Sequence, residues 1–158
     1  MYQKGDKIVY PLHGAGVIDD LEEKEIDGEI QCYYVLNIPV GNLKIMISAA
    51  KAESQRIRPI HLKEDIIGFL DEALLTQVNM PDNWNQRCKE NMERIKSGEL
   101  TQVAVVFHNL LIRERERGLS TAEKKMMTTA KQIILSELIL SLDIDRSDAE
   151  EVLDNTFR

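Results

Sequence analysis

The chain has one tryptophan, Trp84, and four cations follow it within twelve residues: Arg87, Lys89, Arg94 and Lys96. An aromatic ring at a helix start, flanked by cations, can stack on or wedge between nucleic-acid bases while the cations hold phosphates. The free N–H groups of the helix start offer further contacts to anions. A plainer reading uses the same residues. Trp84 lies close to the helical angle of Cys88 and Ile95, and tryptophan is highly buried on average, so spacing alone favours a core ring. A second basic group, Arg113, Arg115 and Arg117, either complements a helix C-terminus, at ~0.3–1 kcal/mol each, or extends a basic surface. Lys124, Lys125 and Lys131 are open to both readings. Lysines near a helix start oppose its dipole, which favours a binding role for Lys124 and Lys125.

Other chemistries find little support. Gly14-Ala15-Gly16 lacks the third glycine and the following helix of a phosphate loop, and reads as a turn between strands. Asp143, Asp145, Asp148 and Asp154 loosely resemble a calcium loop. Asp148 stands where the turn glycine belongs, and Asp154 where the bidentate glutamate belongs. A helix cap and an acidic first turn account for these residues. Asp19-Asp20 and Glu22-Glu23 fall in an expected exposed hairpin, where nothing would raise a carboxyl pKa. His13, His61 and His108 are scattered, and Cys32 and Cys88 form no CxxC pair, so both read as free thiols. No catalytic residue, metal, cofactor or small-molecule substrate is expected, and the chain reads as a non-enzyme.

Charge sharpens the location of any binding surface. The 158 residues carry a net charge of −7, which argues against nucleic acid as a partner. The distribution is uneven. Residues 1–83 hold 8 basic and 14 acidic side chains, residues 84–131 hold 10 and 6, and residues 132–158 hold 2 and 7. A basic middle of net +4 can meet phosphate although the whole chain is acidic. Segregation this mild is also common in a solvated, salt-bridged helical face, and charge alone favours that reading.

Two kinds of element must position these residues. The first ~60 residues read as strands: Lys7 to Tyr10, Val17 into an acidic ribbon, Ile30 to Ile38, and Leu43 to Ile47. Pro11 ends the first strand. His13-Gly14-Ala15-Gly16, Asp27-Gly28 and Gly41-Asn42 supply the turns, and Arg56-Ile57-Arg58-Pro59 closes the module. From Leu62 the apolar period becomes helical. Ile66, Ile67, Leu70, Ala73, Leu74 and Val78 mark one helix, which Asn79-Met80-Pro81-Asp82 breaks. Asp82 would cap a second helix carrying Cys88, Met92 and Ile95, ended by Ser97-Gly98. A third carries Leu100 to Leu111 and ends at Gly118. Ser120-Thr121-Ala122-Glu123 and Ser147-Asp148-Ala149-Glu150 are capping boxes for two more. The expected architecture is α+β: a small SH3-like or Tudor-like β-barrel over residues 1–60, then a helical bundle over 61–158. No segment has the ~18 apolar residues of a membrane span, and the N-terminus has no signal-peptide core, so a cytoplasmic protein is expected.

Three stretches together resemble the CarD/CdnL family of bacterial RNA polymerase-binding transcription regulators. They are Gly5-Asp6-Lys7-Ile8-Val9-Tyr10-Pro11-Leu12-His13-Gly14-Ala15-Gly16, then Asn83 to Asn91 with Lys96-Ser97-Gly98, and Arg115-Glu116-Arg117-Gly118-Leu119-Ser120 with Glu123-Lys124. The first also resembles the polymerase-binding module of transcription-repair coupling factors. The likeness covers residues 1 to about 142. It implies a Tudor-like module that binds the polymerase β subunit, partly by edge-to-edge strand pairing. It implies a helical domain on promoter DNA at the upstream edge of the melted −10 region, with Trp84 as a minor-groove wedge. The family's basic patch is matched best by Arg87, Lys89, Arg113 and Lys124. The polymerase contact maps to Lys24, Leu43, Ile45, Met46 and Ile47. Lys24 and Met46 stand where arginines are expected, and Gln86 replaces an expected basic residue. The implied action is stabilisation of the open promoter complex. The alternative is a polymerase-binding adaptor whose helical domain recruits another protein through the acidic tail, Asp143 to Asp154.

Overall fold

The computed structural model describes residues 1–76 and 78–158. Five strands come first: β1 (Lys7–Tyr10), β2 (Gly14–Ile26), β3 (Glu29–Ile38), β4 (Leu43–Ser48) and β5 (Arg58–Pro59). Five helices follow: α1 (Lys63–Leu75), α2 (Trp84–Lys96), α3 (Leu100–Glu116), α4 (Thr121–Leu142) and α5 (Arg146–Thr156). The α+β class is as expected. Among the described residues no helix is long and apolar enough to cross a membrane.

The strands form one antiparallel sheet in the order β4-β3-β2-β1-β5. A closed barrel was expected, and the sheet is open. No ladder joins β4 to β5. With two residues, β5 is long enough only to pair Pro59 with Ile8 and Arg58 with Val9. The β2–β3 hairpin turns at Asp27-Gly28, whose φ values of 52° and 80° fit a type I′ turn. Its outer half, Asp20–Ile26 against Glu29–Val35, runs out as a largely exposed ribbon beyond a register shift between Ile18 and Asp20. Such a bulge increases local twist and bends the strand. The inner faces of Ile8, Ile18, Tyr34, Leu36 and Ile47 form a compact core for the sheet.

The Gly14-Ala15-Gly16 stretch is strand, not turn. The turn lies one step earlier, at Pro11–His13, with Leu12 at φ 76°. The glycines serve close approach instead. A Cβ on Gly14 would sit 2.8 Å from Ser136 Oγ, and one on Gly16 would sit 2.7 Å from the Asn37 carbonyl oxygen. This lets β2 lie directly against α4, where the Ala15 N–H donates to Ser136 Oγ at 2.8 Å.

Helix boundaries differ from expectation where two polar residues compete for a cap. Asn83, not Asp82, caps α2, its Oδ1 accepting from the Gln86 N–H at 3.0 Å. Asp145, not Ser147, caps α5 by accepting from the Asp148 N–H at 2.8 Å. Helix α1 stops at Leu75, so Val78 falls beyond it, and Gln77 lies outside the described residues. Ser120 and Glu123 form the capping box of α4, with both reciprocal bonds present. The bundle core is continuous across all five helices, from Ile66 and Leu70 through Ile95, Leu110 and Ile134 to Leu153.

Candidate nucleic-acid interface

Trp84 is the first residue of α2. The chain enters through Pro81 and Asp82, and the Asn83 cap fixes the direction of the first turn. Trp84 is 46 % exposed, so the core reading that spacing favours does not hold. Its indole N–H donates to Ser120 Oγ at 3.2 Å. Ser120 in turn caps α4, so the ring bridges the heads of two helices.

The buried stripe of α2 explains why this ring stays outside. Arg87, Asn91 and Ile95 recur at i, i+4, i+8 and point inward, with Cys88 and Met92 half-buried beside them. Trp84 sits at the outer end of that stripe, in the first turn of the helix, and stays half-exposed. Arg87 fills the space an apolar residue would normally take. It is 3 % exposed, and its guanidinium forms a two-pronged pair with Glu123, at 3.0 and 3.2 Å. The remaining nitrogen donates to the carbonyls of Asp82 and Pro81, at 2.9 and 3.3 Å. One side chain thus ties the loop before α2 to the first turn of α4.

The electrostatics of this cluster are self-consistent. Burial alone would raise the Glu123 pKa, but hydrogen bonds from Arg87 and Ser120 outweigh it and hold the carboxyl below its ordinary value. The hydrogen bond to Glu123 also raises the Arg87 pKa, against the opposing effect of burial. Arg113 approaches the same carboxylate, with Nε 3.7 Å from Glu123 Oε2. Arg87 and Glu123 are both charged at neutral pH.

The residues expected to meet DNA divide into two sets. Lys89 and Lys124 are exposed, in the second turn of α2 and the first turn of α4. Arg113 is part-buried and leans toward Glu123. Arg87 is interior, and as placed it cannot reach a phosphate; its charge is consumed by Glu123. Arg87 is an expected DNA contact that lies inside the bundle, since charge in a sequence carries no sign of burial. The S-x-x-E signature of Ser120 and Glu123 marks a helix cap but not the contact to the tryptophan.

The residues mapped to a polymerase contact lie on the outer part of the sheet. Strand β4 is an edge, paired only with β3. Leu43 and Met46 are exposed, Ile45 is half-buried, and Ile47 is 1 % exposed within the sheet core. The Ile47 side chain therefore faces away from any partner at this edge, and only its backbone could take part. Lys24 lies on the β2–β3 ribbon, its Nζ 3.5 Å from Met46 Sδ and 5.8 Å from the Tyr33 ring centroid. Among the described residues no three His, Cys, Asp or Glu side chains gather into a metal-binding group.

Comparison with known proteins agrees with both halves of this layout. The family model "CarD, C-terminal domain" matches residues 70–154, and "CarD-like/TRCF RID domain" matches residues 2–61. A Bacillus subtilis (strain 168) protein described as "Putative transcription factor YdeB" is 40% identical over 141 residues, which cover 87% of this chain and 90% of the relative. With both models matched in the order the fold presents them, and one relative aligned along nearly its whole length, the chain belongs to the CarD family.

Proposed function

We propose that this protein is a transcription regulator that binds the β subunit of RNA polymerase and promoter DNA, and that it prolongs the life of the open promoter complex. Residues 1–60 form a Tudor-like polymerase-binding part, and residues 61–158 form the DNA-binding part. The observation that carries the reading is the half-exposed Trp84 at the head of α2, on a helical surface that also exposes Lys89 of α2 and Lys124 of α4. An apolar ring of this kind wedges into a distorted step at the upstream edge of the −10 element, while the lysines neutralise phosphates. The free edge of β4 offers main-chain groups for strand addition, with Leu43, Met46 and Lys24 supplying side-chain contacts. The tether to polymerase raises the effective concentration of a weakly binding DNA surface. Contacts to phosphate carry little sequence information, so promoter choice would come from the polymerase.

The test is the decay of open complexes formed by the cognate polymerase. Adding the protein should lengthen their half-life, and Trp84→Ala should remove that effect while leaving polymerase binding intact. A folded Trp84→Ala protein with wild-type lifetimes refutes the wedge. Exposed acids at Asp143, Asp145, Asp148 and Asp154 favour the adaptor reading instead. Loss of the promoter effect on neutralising these acids, but not on removing Trp84, would select it.

A further inference from the structure

We infer that Ser120 is a positioning residue for Trp84: its hydroxyl latches the indole in a fixed outward pose, and the Glu123 carboxylate aims that hydroxyl. The functional side of this inference rests on the proposed wedge.

A serine hydroxyl has one proton to donate and two lone pairs to accept with. Ser120 Oγ has three partners in the structure. The Glu123 Oε1 lies 3.0 Å away, the Glu123 backbone N–H 3.2 Å away, and the Trp84 indole N–H 3.2 Å away. A carboxylate can only accept, so the hydroxyl proton must point at Oε1. Both lone pairs are then committed to the two N–H groups. The hydroxyl is saturated, and its orientation is not free. Rotating it toward any other acceptor would abandon the carboxylate and turn a lone pair away from the indole.

Glu123 is itself buried and held on both oxygens. It is 2 % exposed, and both its oxygens are gripped by the Arg87 guanidinium, which also holds the Pro81 and Asp82 carbonyls. The chain of contacts therefore runs from the loop before α2, through Arg87 and Glu123, to Ser120 and back to the first residue of α2. It closes a ring around the base of Trp84. The indole has two soft torsions, and this bond removes freedom from both before any partner arrives.

One consequence concerns how the ring acts. Indole has a single N–H donor and no acceptor. That donor is already used, so the exposed part of the ring has no hydrogen bond to offer a base edge. It acts by shape and stacking, as an apolar wedge.

The test exploits Trp84 being the sole tryptophan, so intrinsic fluorescence reports this ring alone. Ser120→Gly removes the hydroxyl at small cost to the helix cap, and Ser120→Thr keeps it. Losing one net hydrogen bond should shift the balance between latched and unlatched rings about fivefold. Ser120→Gly should therefore show faster local indole motion in time-resolved anisotropy and stronger acrylamide quenching, with Ser120→Thr matching wild type. In the open-complex assay Ser120→Gly should shorten lifetimes toward the Trp84→Ala value, and Ser120→Thr should restore them. Unchanged quenching and anisotropy in Ser120→Gly would mean packing alone holds the ring, and the inference fails. Altered fluorescence with wild-type lifetimes, while Trp84→Ala still shortens them, also defeats it, because the pose would then not matter to DNA. If Trp84→Ala itself has no effect on lifetime, the proposed function falls, and the fluorescence alone decides whether Ser120 holds the ring.

Discussion

Arg58 on β5 and Glu137 on α4 meet in a two-pronged ion pair, at 3.0 and 2.8 Å, across the junction of sheet and bundle. Glu137 is 1 % exposed, and one of its oxygens also accepts the His61 backbone N–H at 2.8 Å. The Nε of Arg58 donates to the Gly98 carbonyl at 2.8 Å, which adds the turn between α2 and α3 to the same knot. Nearby, the Ser141 hydroxyl donates to the His61 carbonyl at 2.7 Å. Under the proposed function the sheet holds polymerase and the helices hold DNA, which calls for a fixed angle between them, and this knot would supply one. Arg58→Ala leaves the Glu137 carboxylate buried with a single remaining donor, and should cost about 3 kcal/mol in urea unfolding. Arg58→Lys should recover only part of that, because an ammonium cannot reproduce the planar fork. A loss under about 0.5 kcal/mol for Arg58→Ala, the range of an ordinary surface change, would show that apolar packing sets the junction.

Gly14→Ala should strike the same junction from the other side. Its φ of 119° is a conformation L side chains rarely adopt, and the new Cβ would press on Ser136 Oγ at 2.8 Å. Ser136 cannot easily retreat, since it accepts from the Ala15 N–H and donates to the Ile133 carbonyl. The expected destabilisation is about 2–3 kcal/mol, combining backbone strain and overpacking. Thermal unfolding measures it. Gly28→Ala makes a useful control: it has positive φ but nothing within 4 Å of the added Cβ, so it should cost less.

These two junction features show what a sequence conveys and what it does not. Strand alternation in β4, the Asp27-Gly28 turn, the Gly98 and Gly118 stops and the Ser120 capping box are local, and each was legible as a short pattern. Barrel closure, the role of Gly14 and the burial of Glu137 depend on residues that meet from distant parts of the chain. Gly14 and Ser136 are neighbours only because β2 lies on α4. The Arg87 stripe misled for a related reason. Helical periodicity shows which side of α2 faces in, but a charged residue on that side is read as surface unless its partner, 36 positions away, is known. Trp84 was open between core and surface for the same cause: whether the end of a stripe is covered depends on where the neighbouring helices stop.

The basic residues of the site should separate cleanly by what they hold. Arg87→Ala strands Glu123 without its main partner and should destabilise the fold by about 3–5 kcal/mol. Lys89→Ala and Lys124→Ala lie on the surface and should change stability by less than about 0.5 kcal/mol. On DNA the order reverses. Each lysine that meets a phosphate should lower the slope of log K against log salt by about 1 when removed, roughly equally on any sequence. Denaturation and salt-dependent DNA binding of the polymerase complex measure both. A lysine variant that keeps the wild-type slope does not contact phosphate.

Acid should release the same cluster in a predictable direction. The folded protein holds the Glu123 carboxyl below its ordinary value of 4.5, because the Arg87 and Ser120 hydrogen bonds outweigh burial. A carboxyl that is more acidic when folded contributes stability that is fully present above the unfolded value. That contribution is lost progressively as pH falls through the folded one. The site should therefore be insensitive to Glu123 from neutrality down to about pH 5, and weaken below that as the carboxyl takes up a proton. Protonation lets the carboxyl donate rather than only accept, so the Ser120 hydroxyl loses its fixed orientation and its hold on Trp84 weakens. Stability and Trp84 fluorescence should change together in that acid window. Ser120→Gly removes one of the hydrogen bonds that lower the carboxyl, so it should keep a smaller stability change and lose most of the fluorescence change, since its ring has no hydroxyl to lose. An acid transition in Trp84 fluorescence that is identical in wild type and Ser120→Gly would place its origin in global unfolding instead.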